Sequence, residues 1–345
     1  MVIPIEPEFR QQFYGLLEEV FESNFWSDGP MLRRFEQDFG AYLGLPCRAV
    51  SNCGAGLLAA LEHLDVKGKD VVVPANTFWA TAQAARKAGA RVIYADCNRE
   101  DLCLSADDLR RKVTKNTKAV IVVHIGGHLA FQIEEIASFC RERQIFLLED
   151  CAHAHGGWWQ GKTGGHYGFA GVYSFYATKT MPLGEGGMVA SRDQNFLAWL
   201  ERYRNYGKEV RGGQVTYPLK NGFNYRINEF TAALGVVQLR RLPIILAAKR
   251  KLAAKYDKLF ERRVKFPPGM VSGYYKYIVF GYHQLRERTG QVFGPGDLGP
   301  VIEGIEADVP NSHWVAHNHQ CPPMYYGWEH AQKEVVELAE VLLGI

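Results

Sequence analysis

Between residues 71 and 150 the chain alternates short apolar runs with helical patterns, and this rhythm restricts it to few architectures. Val71-Val72-Val73-Pro74 reads as a strand, residues 80–87 as a helix and residues 91–95 as the next strand. Ser105 opens a helix with Asp107 and Asp108 in its first turn, where acidic groups suit the helix dipole. Residues 119–123 are apolar throughout, as in a strand buried on both faces. Residues 133–143 are helical again and feed the apolar run 145–148. Strands alternating with helices predict an α/β fold: a mainly parallel sheet covered by helices.

The flanking segments read less regularly. Residues 9–21 form a helical stretch, and the turn Ser27-Asp28-Gly29 places Pro30 at the first position of a helix through Phe35, Phe39 and Tyr42. Residues 184–187 (GEGG) read as a turn before a strand over 188–191, with a helix over 192–206 and a long loop over 207–222. A helix-rich stretch over 227–263 is expected to break near Pro243. A strand over 274–282 and a closing amphipathic helix with Val335, Leu338, Ala339 and Leu342 on one side complete the chain. The expected division is a large α/β domain over 1–240 and a smaller α+β domain over 241–345.

Composition narrows the partners. A net charge of +3 on 345 residues, dispersed along the chain, argues against nucleic acid or an anionic membrane surface. The first residues, MVIPIEPEFR, lack the pattern of a signal peptide, and no apolar run approaches the ~20 residues of a membrane span. Seven cysteines without CxxC pairs read as free thiols of a reducing, cytoplasmic compartment.

Chemistry concentrates in residues 145–179, IFLLEDCAHAHGGWWQGKTGGHYGFAGVYSFYATK. One apolar run ends in Glu149-Asp150, and a second leads to Lys179. Ligands of open parallel sheets sit beyond the carboxyl ends of the strands, so an Asp at one strand end and a Lys past another can face one ligand. An amine that bonds an aldehyde, with a carboxylate for a pyridinium nitrogen, is what pyridoxal phosphate (PLP) requires. Upstream, Asn52-Cys53-Gly54-Ala55-Gly56 opens a helix with small residues, leaving backbone N–H groups for an anion.

Six motifs in order then resemble the DegT/DnrJ/StrS family of PLP-dependent sugar aminotransferases, of fold type I. They are Gly29-Pro30 with Phe35-Glu36, Pro74-Ala75-Asn76-Thr77-Phe78, Glu149-Asp150-Cys151-Ala152-His153, Ser174-Phe175 with Thr178-Lys179, Gly184-Glu185-Gly186-Gly187, and Gly222-Phe223-Asn224-Tyr225-Arg226. The EDCAHAHG form is similar to members that make antibiotic precursors, such as 3-amino-5-hydroxybenzoate synthases and aminocyclitol aminotransferases. The resemblance implies that Lys179 carries PLP and moves the proton, and that Asp150 pairs with the pyridine nitrogen. It implies that Phe78 stacks on the ring, His153 lies by the phenolic oxygen, and Ser174 with the Gly54 and Ala55 backbone binds phosphate. Asn224 is implied to reach the cofactor of a neighbouring subunit in a homodimer. The implied reaction moves an amino group from L-glutamate or L-glutamine to a keto sugar, nucleotide-linked or a cyclitol.

Two departures stand out. Relatives carry Gly-Thr where this chain has Cys53-Gly54, so one phosphate-binding hydroxyl is missing and weaker cofactor binding is expected. The C-terminal portion looks shortened. Rival readings are a PLP-dependent sugar dehydratase and a non-catalytic PLP-fold regulatory protein; Lys179 and cysteines without iron–sulfur cluster spacing weigh against the dehydratase. His313, His317, His319 and Cys321 read as structural or pocket-lining rather than as metal ligands, since no carboxylate has ligand spacing to them. His124 is either a pocket residue or a capped strand terminus. Trp158-Trp159 reads as a packed surface hairpin or an interface.

Overall fold

The computed structural model describes residues 4–324, together with 326, 327, 333, 336, 337, 340 and 341. The four apolar positions of the expected closing helix, Val335, Leu338, Ala339 and Leu342, lie outside the described residues.

A seven-stranded sheet forms the centre. Its strands are β1 (Cys47–Val50), β2 (Asp70–Pro74), β3 (Arg91–Ala95), β4 (Thr117–Val123), β5 (Phe146–Asp150), β8 (Ala170–Ser174) and β9 (Gly187–Ala190). The order is β1-β9-β8-β5-β4-β2-β3. The pairs β2/β3, β2/β4, β4/β5 and β5/β8 are parallel, whereas β9 runs antiparallel between β1 and β8. All residues of β2, β5 beyond Phe146, β8 and β9 are buried, which is why these strands are largely apolar without polar alternation, their polar residues falling at the ends.

The covering helices are α3 (Cys53–His63), α4 (Trp79–Lys87), α5 (Ala106–Lys112), α6 (Ile133–Glu142) and α7 (Gln194–Tyr203), with α1 (Pro7–Ser23) and α2 (Pro30–Leu43) ahead of them. Ser105 caps α5 as expected, accepting from the Asp108 N–H at 3.4 Å, and Pro30 is the first residue of α2. Lone polar groups tie the layers together: Glu229 accepts from the N–H groups of Gly29, Met31 and Leu32, closing the open end of α2 from 200 residues away.

The structure corrects several expectations. The stretch 227–263 is one helix, α8 (Glu229–Leu259), unbroken at Pro243. Proline removes one N–H and crowds the preceding turn, a cost that burial of the flanking Leu242, Ile245 and Leu246 among other core residues offsets. The expected domain boundary between 240 and 241 falls inside this helix. By length and apolarity α8 could cross a bilayer; 56% of its apolar window is instead buried in the protein, and Arg241 and Lys249 are buried on it. The expected loop 207–222 holds an exposed hairpin, β10 (Glu209–Arg211) with β11 (Gln214–Thr216). The expected strand 274–282 shrinks to β13 (Val279–Phe280), paired with β14 (His319–Gln320). Trp158-Trp159 do form a hairpin strand, β6 (Trp158–Trp159), between β7 (Lys162–Thr163) and β12 (Met270–Val271). Two short helices, α9 (Gly299–Glu303) and α10 (Pro310–Asn318), lie in the C-terminal portion.

Candidate active site

Three parallel strands, β4, β5 and β8, end along one edge, in register from Val123 to Asp150 and from Asp150 to Val172. Asp150 is therefore the last residue of a central strand, 4% exposed, with its side chain on the edge where ligands of such sheets bind. Its Oδ2 accepts from Thr81 Oγ1 at 2.9 Å and its Oδ1 from the Ala152 N–H at 3.0 Å. A carboxylate offers about four acceptor sites, so room remains for another donor.

The start of α3 lies beside it. Asn52 caps the helix by accepting from the Ala55 N–H at 2.8 Å. The Ala55 amide, expected among the phosphate donors, is thus already taken, and the Cys53 and Gly54 N–H groups are the ones presented at the open helix end. Gly187 of β9 pairs with both Val50 and Ser174, which sets the Ser174 hydroxyl one strand away from that helix start. A Cβ on Gly187 would come within 2.6 Å of the Asn52 carbonyl carbon, so only glycine lets the sheet approach this closely. The Cys53 side chain turns inward: its Sγ lies 3.7 Å from Asp150 Oδ1 and 3.5 Å from the Val172 carbonyl oxygen. Burial, then the charge of Asp150, pushes this thiol well above its ordinary value, with Lys179 opposing them. Asp150 and Lys179 thus both act on the Cys53 thiol.

Lys179 follows β8 and is half-buried. Its Nζ stands 4.9 Å from the ring centroid of Tyr275, and the Tyr275 ring is stacked on His153 at 4.2 Å and 26°. His153 has a buried Nδ1 without a partner among the described residues; burial, then Lys179 and Lys276, pushes the imidazole well below its ordinary value. Two residues on, His155 is 1% exposed and has no partner on either nitrogen among the described residues, set against Phe39, Tyr173 and Phe175. Burial, then Lys179 and Lys249, pushes it down to about 3. Lys249, on α8, is itself pushed down to about 7 by burial and then by Lys276.

Phe78 caps α4 one turn before Thr81 and is 81% exposed, a free aromatic face beside the Asp150 network. Asn224 is exposed on an irregular stretch bridged to Asn205, and its Oδ1 accepts from the Arg226 N–H at 3.4 Å. Of the expected residues, Asp150, Gly54, Ser174, Lys179, His153 and Phe78 gather at the strand edge, whereas no contact among the described residues joins Asn224 to them.

Thr81, Tyr275, Lys249 and Lys276 were not expected at this edge. Thr81 has a usable signal, one helical turn past the PANTF motif. Tyr275 has none, since the C-terminal portion shows little pattern. Three other histidines are bonded within the protein. His319 is buried, with Nδ1 bonded to the Val315 carbonyl oxygen at 2.6 Å and Nε2 accepting from the Val292 N–H at 2.9 Å. His317 Nδ1 bonds the His313 carbonyl oxygen at 2.8 Å. His124 proves to be a structural strand terminus, its Nε2 3.0 Å from Glu149 Oε2 and its Nδ1 accepting from the Ala130 N–H.

The donor set fits PLP. A carboxylate with spare acceptor sites suits a protonated pyridine nitrogen, a free amine suits the aldehyde, and the open helix end with a hydroxyl suits a phosphate. The buried, unpartnered His153 Nδ1 marks a polar ligand group beside the amine.

The comparisons agree. The model of the DegT/DnrJ/EryC1/StrS aminotransferase family matches residues 7–284. The chain is 35% identical to dTDP-4-dehydro-2,3,6-trideoxy-D-glucose 4-aminotransferase of Saccharopolyspora spinosa, over 83% of this chain and 79% of that one. It is also 35% identical to GDP-perosamine synthase of Vibrio cholerae, over 74% of this chain and 70% of that one. The crystal structure of the aminotransferase TlmJ from Streptoalloteichus hindustanus superposes with a TM-score of 0.89 at 29% identity, covering 100% of this chain and 99% of that one. With a fold, a strand edge and a donor set that all suit the same cofactor, the chain belongs to the DegT/DnrJ/EryC1/StrS family of PLP-dependent aminotransferases.

Proposed function

We propose that this enzyme transfers an amino group from L-glutamate or L-glutamine to the carbonyl of a keto sugar, nucleotide-linked or a cyclitol, in amino-sugar or antibiotic biosynthesis. The sugar class follows the two 35%-identical relatives, a dTDP-sugar aminotransferase and a GDP-perosamine synthase. The observation that carries the catalytic reading is Asp150, ending a central strand with acceptor capacity to spare, beside the start of α3, whose Cys53 thiol feels both Asp150 and Lys179.

PLP, when bound, supplies the electron sink that lets a proton leave the carbon bearing the amine. The protein supplies the rest. Lys179 Nζ carries the cofactor and then holds and returns that proton as general base and acid. Asp150, fixed by Thr81 and Ala152, presents a carboxylate to the ring nitrogen and keeps it protonated. The Cys53 and Gly54 N–H groups with Ser174 hold the phosphate, and Phe78 offers its exposed face to the ring. His153 bonds the phenolic oxygen through its free nitrogen. The half-buried rim around Lys179 limits water, which would otherwise compete for the cofactor.

In this reading a homodimer completes the site. Asn224, exposed with Phe223 on a stretch beside the α3 start, reaches the phosphate in the neighbouring subunit. The enzyme works in the cytoplasm on small molecules.

The test is spectroscopic. The protein as purified with PLP should be yellow, and L-glutamate or L-glutamine should bleach it to the amine-loaded form; a keto sugar should restore the colour. Lys179→Ala should slow the bleaching by roughly 10²–10⁴-fold, the usual weight of a general acid–base group. A Lys179→Ala protein that bleaches at the wild-type rate would sink the assignment.

A further inference from the structure

The segment 272–276 is held against the site by unusual means. Tyr274 sits at φ 47°, the left-handed region that bulky residues rarely adopt. The conformation is over-determined from two sides. The Gly273 N–H donates to the Gly127 carbonyl oxygen at 2.8 Å and the Lys276 N–H to that of Gly126 at 2.9 Å. Gly127, itself at φ 111°, faces the segment so closely that a Cβ there would meet the Tyr275 nitrogen at 2.5 Å. From α8, Lys249 Nζ donates to the Tyr274 carbonyl oxygen at 3.2 Å and Arg250 Nε to that of Ser272 at 3.3 Å. Backbone strain that persists under such constraint commonly serves a functional site.

What the strained turn aims is Tyr275. Its ring stacks on His153, its hydroxyl lies 3.4 Å from Thr178 Oγ1, and Lys179 Nζ stands over the ring at 4.9 Å from the centroid. An ammonium group this close to an aromatic face is attracted by the ring's quadrupole, most strongly where water is excluded. Lys276 Nζ stands 5.4 Å from the same ring centroid, so two cations lie within reach of this ring. Burial raises the Tyr275 phenol, yet Lys179, Thr178 and Lys276 outweigh it and hold it below its ordinary value, which reports the same proximity.

We propose that Tyr275 is a positioning residue for Lys179: its ring is the seat that holds the Lys179 side-chain amine at the site's edge whenever that amine is not bonded to the cofactor. The role rests on Lys179 being the reacting amine. A seat of this kind matters in both halves of the reaction, because the freed lysine must stay within reach of the carbon whose proton it moves. It also explains why a strained turn in an otherwise weakly patterned portion of the chain is clamped from two directions.

The experiment separates the contact from its use. In the cofactor-free protein, the rate at which Lys179 is acylated at fixed pH is read by mass spectrometry, with the exposed Lys220 as internal reference. In the PLP-loaded protein, the bleaching rate with L-glutamate is read by absorbance. Tyr275→Leu, with Tyr275→Met beside it as a second ring-less variant, should label Lys179 several-fold faster and bleach about tenfold more slowly. Thermal unfolding shows which of the two is folded and used. Tyr275→Phe, which keeps the ring, should restore slow labelling and most of the bleaching rate. Labelling of Lys179 that does not respond to loss of the ring overturns the proposal. So does a Tyr275→Phe protein as impaired as Tyr275→Leu, which would assign the role to the hydroxyl. If wild-type protein fails to bleach with every amino donor, the aminotransferase reading fails, while the labelling result still decides whether the ring seats the amine.

Discussion

Glu149 and Asp150 are consecutive carboxylates at the end of one strand, and they lead opposite lives. Glu149, 0% exposed, is saturated: it accepts from the N–H groups of Gly165, Tyr167 and Gly168 and pairs with His124. Asp150, on the other face because side chains alternate along a strand, has a hydroxyl, one N–H and a distant thiol around it, with acceptor capacity left over. The first builds the loop 164–168 onto the sheet; the second waits for a ligand. His124, Glu149 and Cys151 lie close enough to resemble a metal cluster, but the carboxylate oxygens are already claimed by the backbone. A full set of internal partners marks a structural group, and an incomplete one marks a site.

That contrast can be broken most directly by exchanging charges. Asp150→Asn should keep the Ala152 hydrogen bond through its amide oxygen and reverse the Thr81 one, its NH2 donating to the hydroxyl, so the fold stays intact, while the glutamate bleaching rate falls by roughly 10²–10⁴-fold, because a neutral amide does not hold the ring nitrogen protonated. Glu149→Ala should do the reverse. Removing it strands three buried N–H groups and His124, at a cost of about 3–5 kcal/mol read by denaturant unfolding. Comparable stability loss in both variants would erase the distinction.

Acid should discriminate next. His128, His155 and His319 are buried and pushed down by burial to about 4, 3 and 4 from an ordinary 6.5. The unfolded chain takes up these protons first, so stability is present above pH 6.5 and is lost as pH falls toward 4. Each group contributes up to about 1.4 kcal/mol per pH unit inside that window. Replacing His155 by Leu should flatten the slope by one proton and, since neither ring nitrogen has a partner, raise stability at neutral pH by about 1 kcal/mol. A lower stability at pH 7 would show that His155 has a partner in the ligand-bound state.

The smallest effect concerns the rim. A Cβ on Gly54 would stand 3.3 Å from Asn52 Oδ1 and 3.6 Å from Ala80 Cβ, so a side chain there needs only slight adjustment. Gly54→Thr should add a hydroxyl at the open end of α3 and tighten PLP binding by about three- to tenfold, measured by absorbance titration. No tightening would mean that the Cys53 and Gly54 N–H groups already meet the phosphate's needs.

Much of this was legible in the residues, for local reasons. Buried strands must be apolar through most of their length, helices must be capped, and a carboxylate ending an apolar run must find a partner, so β2 to β5, the Ser105 cap and the place of Asp150 at a strand end could all be read from order and spacing. The errors fell where distant packing overrides local preference. Pro243 breaks an isolated helix but not one whose flanks are buried against α1 and α2. The run 274–282 has strand-forming residues, yet clamping by Gly126, Gly127 and α8 bends it into a strained turn.

By itself, the sequence determined the layer architecture and the strand edge at which Asp150 stands, because these rest on periodicity and on chemistry carried by single side chains. Only the tertiary structure decided that Ala55 is a capped amide, that Glu149 is saturated while Asp150 is not, and that Tyr275 reaches Lys179. Each of those depends on which groups from far along the chain arrive to satisfy a neighbour, and no local pattern encodes an arrival.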